Sequence, residues 1–324
     1  AEAIRNGMLS AWSGLNSAQR PEIKFFSLND DEGAAVGALL QAHEEGFDWV
    51  IGPLRRTTVN SVLGFSGNTL PMLLLNRADE HVQAPPGLPV YSFALRPEDE
   101  ATASAQLALS QGHQSALVIH SKDSWGQRVA DAFTDEFSAA GGEVLHIQDF
   151  NPVESNHSVQ LRSALGLNEA DARYRRIRSL LGLPVGFNPV PRQDIDMIFL
   201  GARVTQARQL KPQLKFFDAG GIPIFATNQV YSGRYDPRND RDLDDVQFPT
   251  SSWLLDQGSQ QPSRQASSRW FDSLDNAASA RFFALGLDVI QLLPDLSFLQ
   301  QNPEAHISGA HGDLSLIHIS EPTR

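Results

Sequence analysis

Short apolar runs alternate with amphipathic helical patterns along nearly the whole chain. The runs are Ile23–Leu28, Trp49–Ile51, Met72–Leu75, Ala116–Ile119, Val144–Ile147, Ile195–Leu200 and Ile222–Ala226. Between most of them apolar residues recur at helical spacing, as Ala207, Leu210 and Leu214 do. Strands that alternate with helices predict parallel sheets built from βαβ units. Such sheets place binding clefts at the carboxyl ends of their strands. The pattern therefore predicts where a binding site lies, but it does not identify the ligand.

The alternation falls into two blocks of similar kind, which predicts an α/β chain with two Rossmann-like lobes. The first block runs from residue 1 to about Leu95, and the second runs from Ser115 to about Ser252. In the second block, Asp123-Ser124 has the composition of a helix N-cap and Gly141-Gly142 that of a helix end. The length of the chain is consistent with two lobes, since domains typically hold roughly 100–200 residues.

Helical periodicity predicts further elements outside the strands. The predicted helices are Gly33–Gly46, one opened by Pro97, Asn156–Leu183, Arg203–Ala219 and Ala277–Leu293. The stretch Val246–Leu255 is predicted to be extended. Ile4, Met8 and Trp12 repeat at helical spacing from the first residues, so we expect a first strand to precede residue 1.

The last residues differ from the rest. Gly309–Leu314 predicts a turn that leads into a strand. Residues 315–324 resemble a translated sequencing-adaptor read-through and are interpreted as an artefactual tail, so they are left out of the prediction of the fold.

Composition excludes several classes of function. The chain has 324 residues, a net charge of −12 and no cysteine. The acidic balance argues against nucleic acid and against direct attraction to anionic lipid. The absence of cysteine excludes disulfides and thiolate chemistry. No apolar stretch is predicted to approach the ~20 residues of a membrane helix.

Catalytic motifs are missing from the sequence. It contains no Walker A motif, no G-x-S-x-G, no H-E-x-x-H and no G-x-G-x-x-G after a strand. His306 and His311 flank a turn, with no carboxylate at metal-ligand spacing. Adjacent acids such as Glu44-Glu45 point apart, whereas a catalytic pair needs facing carboxylates. We therefore expect no enzyme, no cofactor and no metal, although α/β active sites can assemble from scattered loops.

Polar and aromatic residues follow several predicted strands and are candidates for a ligand cleft. Gly52–Arg56 could offer backbone N–H groups to an anion or be a plain tight turn with surface arginines. Trp125 could be the wall of a cleft or a lid on its own helix. The ligand-cleft candidates are Pro53, Leu54, Asn76, Arg77, Ser124, Trp125, Asn228 and Tyr231.

A basic cluster lies on a predicted helix of this acidic chain. Its arginines are candidates for docking a partner: Arg173, Arg175, Arg176 and Arg178. They could contact an acidic surface of another protein. Alternatively, they form a solvated helix face with intrahelical pairs to Glu169 and Asp171.

Several segments, in order, resemble one family. They are Gly52–Leu54, Ser121–Gly126, Arg173–Gly182 (RYRRIRSLLG), Asp194–Ala202 (DIDMIFLGA), Ala207–Pro212 (ARQLKP), Phe225–Ser232 (FATNQVYS) and the Val246–Phe248 and Trp253–Leu255 block. Together they resemble the carboxy-terminal domain of the penicillin-binding protein activator LpoA (LppC) family. The resemblance covers roughly Ala1–Leu314, and the RYRRIRSLLG run and the VQF…WLL block are its most specific parts.

The resemblance implies a type I periplasmic-binding-protein fold, with two Rossmann-like lobes of parallel sheets flanked by helices. On that topology the first lobe is 1–96 plus 253–314 and the second is 97–252, with a hinge near Arg96-Pro97 and Thr250–Trp253. The family implies an outer-membrane lipoprotein of Gram-negative bacteria that acts in the periplasm on cell-wall biogenesis and cell shape. It stimulates a class A penicillin-binding protein, a bifunctional peptidoglycan synthase. The family also implies a lipid anchor and a helical-repeat domain ahead of this one, both outside this chain, so that attachment to the membrane is expected only through that anchor.

Three functions follow as hypotheses. The first is a non-catalytic regulator that binds the synthase and shifts it toward its active state. The second is a periplasmic receptor that holds an amino acid or cell-wall fragment in the interlobe cleft, where Asn76, Arg77, Ser124 and Asn228 could contribute. The third is an enzyme whose site the motifs do not reveal.

Overall fold

A computed structural model describes residues 1–28, 32–79, 81–183, 186–234, 236–257, 262–302 and 304–314. The chain divides into two compact units. Unit 1 takes Ala1–Leu95 and the chain from Ser251 onward, and unit 2 takes Arg96–Thr250. The predicted artefactual tail, 315–324, lies outside the described residues.

The first stretch of unit 1 alternates helices with short strands. Its elements are α1 (Glu2–Gly14), α2 (Glu32–Glu44), β1 (Val50–Ile51), α3 (Arg56–Leu63), β2 (Met72–Leu74) and β3 (Val90–Ser92). The strands form a parallel sheet in the order β1-β2-β3. All three residues of β2 are fully buried, as expected for a strand covered on both faces.

The predicted strand Ile23–Leu28 is wrong. These residues adopt no regular secondary structure. Ile23 and Phe26 pack against the core, whereas Phe25 and Leu28 are exposed. No described strand pairs with this segment, and without a ladder partner an apolar run gains burial but no sheet hydrogen bonds.

Unit 2 contains the larger sheet. Its elements are α4 (Pro97–Ser110), β4 (Ser115–Ser121), α5 (Ser124–Ala139), β5 (Glu143–Phe150), α6 (Ser158–Ala164), α7 (Leu167–Leu181), β6 (Met197–Gly201), α8 (Val204–Phe216), β7 (Ile224–Ala226) and β8 (Val246–Gln247). The strands are all parallel, in the order β5-β4-β6-β7-β8. Successive residues of β4 enter opposite cores: Leu117 packs with residues of α6 and α8, and Val118 with residues of α4 and α5. The sheet is therefore covered by helices on both faces.

Two elements of unit 2 differ from the sequence prediction. The single predicted helix Asn156–Leu183 is broken between α6 and α7, where Gly166 has φ of +69°. A left-handed residue cannot continue a helix, and glycine adopts this conformation at little cost. The predicted extended stretch Val246–Leu255 is a strand only at Val246–Gln247, after which the chain turns.

A buried histidine, His157, lies at the start of α6. Its ring is fully buried and stands edge-on to Phe150, with centroids 5.0 Å apart. Its backbone N–H donates to Oε1 of Gln213 at 2.8 Å. Burial lowers the pKa of His157, because the apolar surroundings disfavour the imidazolium.

We expect unit 2 to lose stability as the pH falls below about 6.5, the ordinary histidine value. Below that pH the unfolded chain takes up a proton that the folded chain resists, so acid favours unfolding. In His157→Leu, the loss of melting temperature between pH 7.5 and pH 5 should be smaller than in the wild type. His81→Leu, at an exposed histidine, is the control and should retain the wild-type loss. An equal loss of melting temperature in both variants would show that the buried His157 is not the cause of the acid sensitivity.

The chain returns to unit 1 after residue 250. The elements there are α9 (Arg264–Ser268), α10 (Ala277–Leu292), α11 (Leu296–Gln301), β9 (Ile307–Gly309) and β10 (Gly312–Leu314). The last two strands form an antiparallel hairpin. Helix α10 is buried on nearly all sides and packs against α1. At that crossing Gly7 and Gly286 bring the two backbones into direct contact.

The prediction that no apolar stretch approaches the length of a membrane helix is wrong. In the described part of the chain, the helical stretch Ala277–Gln301 is long and apolar enough to cross a membrane by length and composition. Most of it is buried inside unit 1. The core helix of a soluble protein passes the same test, so this stretch is weak evidence for a membrane span.

Candidate functional site

The strand-end residues of unit 1 are joined to one another by hydrogen bonds. The side-chain amide of Asn76 donates from Nδ2 to the carbonyl of Leu54 at 2.9 Å. Its Oδ1 accepts the backbone N–H of Arg77 at 2.9 Å. The backbone N–H of Leu75 donates to the carbonyl of Pro53 at 3.2 Å. The amide of Asn76 therefore ties the loops after β1 and β2 together.

At the start of α3, the sequence is consistent with either an anion site or a plain tight turn. Arg55 occupies the N-cap position and makes no side-chain capping hydrogen bond. Nη1 of Arg56 lies 3.6 Å from Oδ1 of Asp79, whose carboxylate also accepts from Nδ2 of Asn60 at 2.6 Å. A carboxylate beside the helix start opposes a second anion there, which favours the interpretation as a tight turn with surface arginines.

In unit 2, Asp123 organises the carboxyl end of β4. Its Oδ1 accepts the backbone N–H of Gly126 at 2.7 Å and so caps α5, as the sequence predicts. Its Oδ2 accepts from Nη1 of Arg203 at 2.9 Å. Burial opposes the charged carboxylate, but these hydrogen bonds outweigh it and hold the pKa of Asp123 below its usual value.

Trp125 lies beside this pair. The guanidinium of Arg203 stacks over the indole ring, 4.4 Å from its centroid. A cation over an aromatic face is attracted by the ring quadrupole. One face of Trp125 is therefore occupied by a side chain of the same unit, whereas the neighbouring Ser124 is exposed.

The other two candidates of unit 2 follow β7. Asn228 is buried, and its backbone N–H donates to Oε2 of Glu100 at 3.0 Å. Tyr231 is half-buried and stacks on Phe248, with centroids 5.9 Å apart. Ser104 donates to the carbonyl of Ala226 at 2.8 Å, so α4 holds the end of β7 in place. Most of the predicted ligand residues thus make structural contacts within their own unit.

The four predicted docking arginines are all exposed on α7. The alternative interpretation required intrahelical pairs to Glu169 and Asp171. Instead, the carboxylate of Asp171 pairs with Arg162 of α6. Arg175 donates to the backbone carbonyl of Asp171, at 3.4 Å. In the described chain no ion pair joins the docking arginines to a carboxylate, so this part of the alternative is wrong.

A shallow cavity of about 520 Å³ lies beside these arginines, at the C-terminal end of α7. It is lined by Tyr174, Arg178, Ser179, Gly182 and Leu183. A second one, of about 550 Å³, lies between α4 and α5. It is lined by Arg96, Glu98, Asp99, Thr102, Arg128, Asp131, Ala132, Asp135, Glu136 and Ala139.

Sequence reasoning missed a buried carboxylate in unit 1. Asp288 of α10 is fully buried and accepts from the backbone N–H groups of Ala310 and His311 and from Nδ1 of His311. His311 therefore has a carboxylate partner, 2.7 Å away, that sequence spacing did not reveal. Among the described residues no group of three or more acids and histidines is placed to hold a metal ion. The pair thus fastens the hairpin to α10.

Each of the two units holds a parallel sheet that is covered by helices, which defines the chain as an α/β protein, and solved structures share this fold. The C-domain of LpoA (YraM) from Haemophilus influenzae, described as a regulator of PBP1A, matches with a TM-score of 0.71 at 20% identity, over 97% of this chain and 87% of that one. A "putative branched-chain amino acid ABC transporter" from Chromobacterium violaceum matches with a TM-score of 0.66 at 22% identity, over 97% and 88%. The predicted type I periplasmic-binding-protein fold is confirmed.

The family model described as "LppC putative lipoprotein" matches residues 1–320, so the chain belongs to the LppC family. The penicillin-binding protein activator LpoA of Photobacterium profundum is 28% identical over 323 residues, which are 97% of this chain and 50% of that protein. The chain spans about half the length of the curated relatives it matches. The family predicted from the sequence is confirmed.

Proposed function

We propose that this chain is the part of an envelope lipoprotein that binds a class A penicillin-binding protein and stimulates its peptidoglycan synthesis. One observation carries the proposal: nearly the whole chain aligns with proteins named penicillin-binding protein activator LpoA. The Haemophilus influenzae domain of the same fold is described as a regulator of PBP1A.

The contacts at the strand ends support a regulator rather than an enzyme. Asn76, Asp123 and Glu100 each form hydrogen bonds that hold loops or helices in place. Hydrogen bonds of this kind give these polar groups a structural role within their own unit. A regulator needs only a surface that binds the active conformation of its partner more tightly than the inactive one. A preference of about 1–3 kcal/mol would raise the ratio of active to inactive synthase by roughly 5- to 150-fold.

The lipoprotein family supports a location in the cell envelope. We infer that the protein is held by a lipid anchor on the periplasmic side of the outer membrane of a Gram-negative bacterium. The acidic composition, with a net charge of −12, supports a protein partner over nucleic acid.

The direct test is glycan-chain synthesis by the purified synthase, with and without this chain. We expect the rate to rise at least about fivefold at saturating chain, which corresponds to the lower end of ordinary allosteric coupling. The heat-unfolded chain is the control and should leave the rate unchanged. An unchanged rate together with no detectable complex would refute the proposal.

A receptor for a small molecule is the alternative, and the fold shared with a transporter protein of Chromobacterium violaceum favours it. Ser124 adds an exposed hydroxyl at the end of β4. Receptors for amino acids need convergent groups for the ammonium and the carboxylate. Tight thermal stabilisation of the chain by one amino acid or muropeptide would favour this alternative over the regulator.

A further inference from the structure

The apolar stripe of α7 continues beyond the core of unit 2. Leu167, Ala170, Tyr174, Ile177 and Leu181 follow one another at intervals of three or four residues and so share one face of the helix. Leu167 and Ala170 are buried. Ile177 is 48% exposed and Leu181 is 57% exposed. The face that anchors the helix at its start is therefore uncovered along its last two turns.

Neighbouring residues widen this apolar area. Leu180 is 77% exposed, and Leu183 is also exposed beyond the end of the helix. The returning chain is fixed against α7 by Phe187, whose ring stacks on Tyr174 with centroids 4.3 Å apart. The cavity of about 520 Å³, which Tyr174 and Leu183 help to line, lies beside these side chains. A cluster of exposed apolar side chains beside a concavity is typical of a protein-binding surface.

The charge of this surface is opposite to that of the chain. Four arginines stand within Arg173–Arg178, while the chain carries a net charge of −12. None of the four pairs with a carboxylate in the residues that the structure describes. Guanidinium groups bind carboxylates through two parallel hydrogen bonds and are enriched at protein interfaces. Because the rest of the chain is acidic, an anionic membrane would be repelled by the molecule as a whole.

We propose that Arg173–Leu183, here named the α7 surface, receives an acidic amphipathic segment of the penicillin-binding protein. Apolar side chains of that segment cover Ile177, Leu180 and Leu181, and its carboxylates pair with the arginines. The inference rests on the proposed function, since it names the surface and the chemistry of the contact with that partner.

The test measures binding of the purified synthase to the chain at 50 and 300 mM NaCl. One variant removes the apolar stripe (Ile177→Ser with Leu181→Ser), and another reverses charge (Arg175→Glu with Arg178→Glu). We expect each to weaken binding at least about tenfold, as loss of interface hot spots does. Wild-type binding should weaken as salt screens the charges, and the charge variant should lose that salt dependence.

A matched control replaces an exposed apolar residue and an exposed arginine elsewhere in unit 2, Phe216→Ser with Arg238→Glu. It should bind within about twofold of the wild type, because surface substitutions outside an interface change stability and affinity little. All substituted side chains are exposed, so every variant should keep the wild-type melting temperature.

The outcomes separate the two proposals. If the wild type neither binds nor stimulates the synthase, the proposed function is refuted, and the α7 surface is refuted as a contact with that partner as well. If the wild type binds but the α7 variants bind equally well, only the α7 surface is refuted. A third outcome would also refute the α7 surface as the contact with the synthase. In that outcome the wild type binds phosphatidylglycerol vesicles, both α7 variants lose this binding, and both variants still bind the synthase. The surface would then bind a membrane.

Discussion

Replacement of Gly286 by valine is expected to destabilise unit 1 by more than about 3 kcal/mol, the upper range for overpacked cores. A Cβ at this position would overlap the backbone carbonyl of Ile4, and the backbone nitrogen of Met8 lies close to it as well. Gly7 makes the reciprocal contact, since its Cβ would overlap the carbonyl of Phe283. Backbone atoms on both helices cannot move aside as a flexible side chain can, so α1 and α10 would have to separate.

The measurement is urea unfolding followed by circular dichroism. Gly37→Ala is the matched control, because Gly37 also lies inside a helix but faces open space. Alanine in place of a helical glycine should stabilise the chain by about 0.5–1 kcal/mol. A Gly286→Val protein as stable as the wild type would show that the two helices are not in backbone contact.

Replacement of Asp288 by alanine is expected to cost at least about 3 kcal/mol, because three hydrogen-bond donors lose their acceptor and each buried unsatisfied group costs about 1–3 kcal/mol. The carboxylate accepts three hydrogen bonds from the turn between β9 and β10, including one from Nδ1 of His311 at 2.7 Å. Alanine would leave those donors without their acceptor beside a fully buried position of α10. The hairpin would lose its attachment to α10.

The control is Asp313→Ala, which removes an exposed acid from the same hairpin. Its free energy of unfolding should stay within about 0.5 kcal/mol of the wild type, as for most surface changes. Equal losses in the two variants would contradict the role given to the buried carboxylate.

The order of elements could be predicted where local signals were strong. Asp123 lies before a glycine-terminated amphipathic run, and it caps α5 as the pattern indicates. Pro97 with its following acids begins α4 in the same way. These signals depend only on residues a few positions apart, so the sequence alone is enough to predict where these helices begin.

The errors arose where the outcome depends on distant partners. Ile23–Leu28 has the composition of a strand, but no described strand pairs with it. Gly166 lies inside a helical pattern, and nothing local shows that its backbone turns left-handed there. Asp288 is the one acid in the apolar helix α10, which was a signal that a partner must exist, but His311 lies 23 residues further along the chain.

The candidate site was only partly accessible to sequence reasoning. The basic run at Arg173–Arg178 is evident in the sequence itself. The exposure of Ile177 and Leu181 could not be predicted, because helical periodicity predicts a buried stripe but does not show where the core ends. The stacking of Arg203 on Trp125 joins residues about 80 positions apart and was likewise hidden.

The central claim, that this chain binds a peptidoglycan synthase, is tested most directly by titrating the purified class A penicillin-binding protein against the folded chain. We predict saturable binding, with an affinity that falls as salt is raised from 50 to 300 mM. Absence of binding by a chain shown to be folded by its cooperative unfolding transition would contradict the claim.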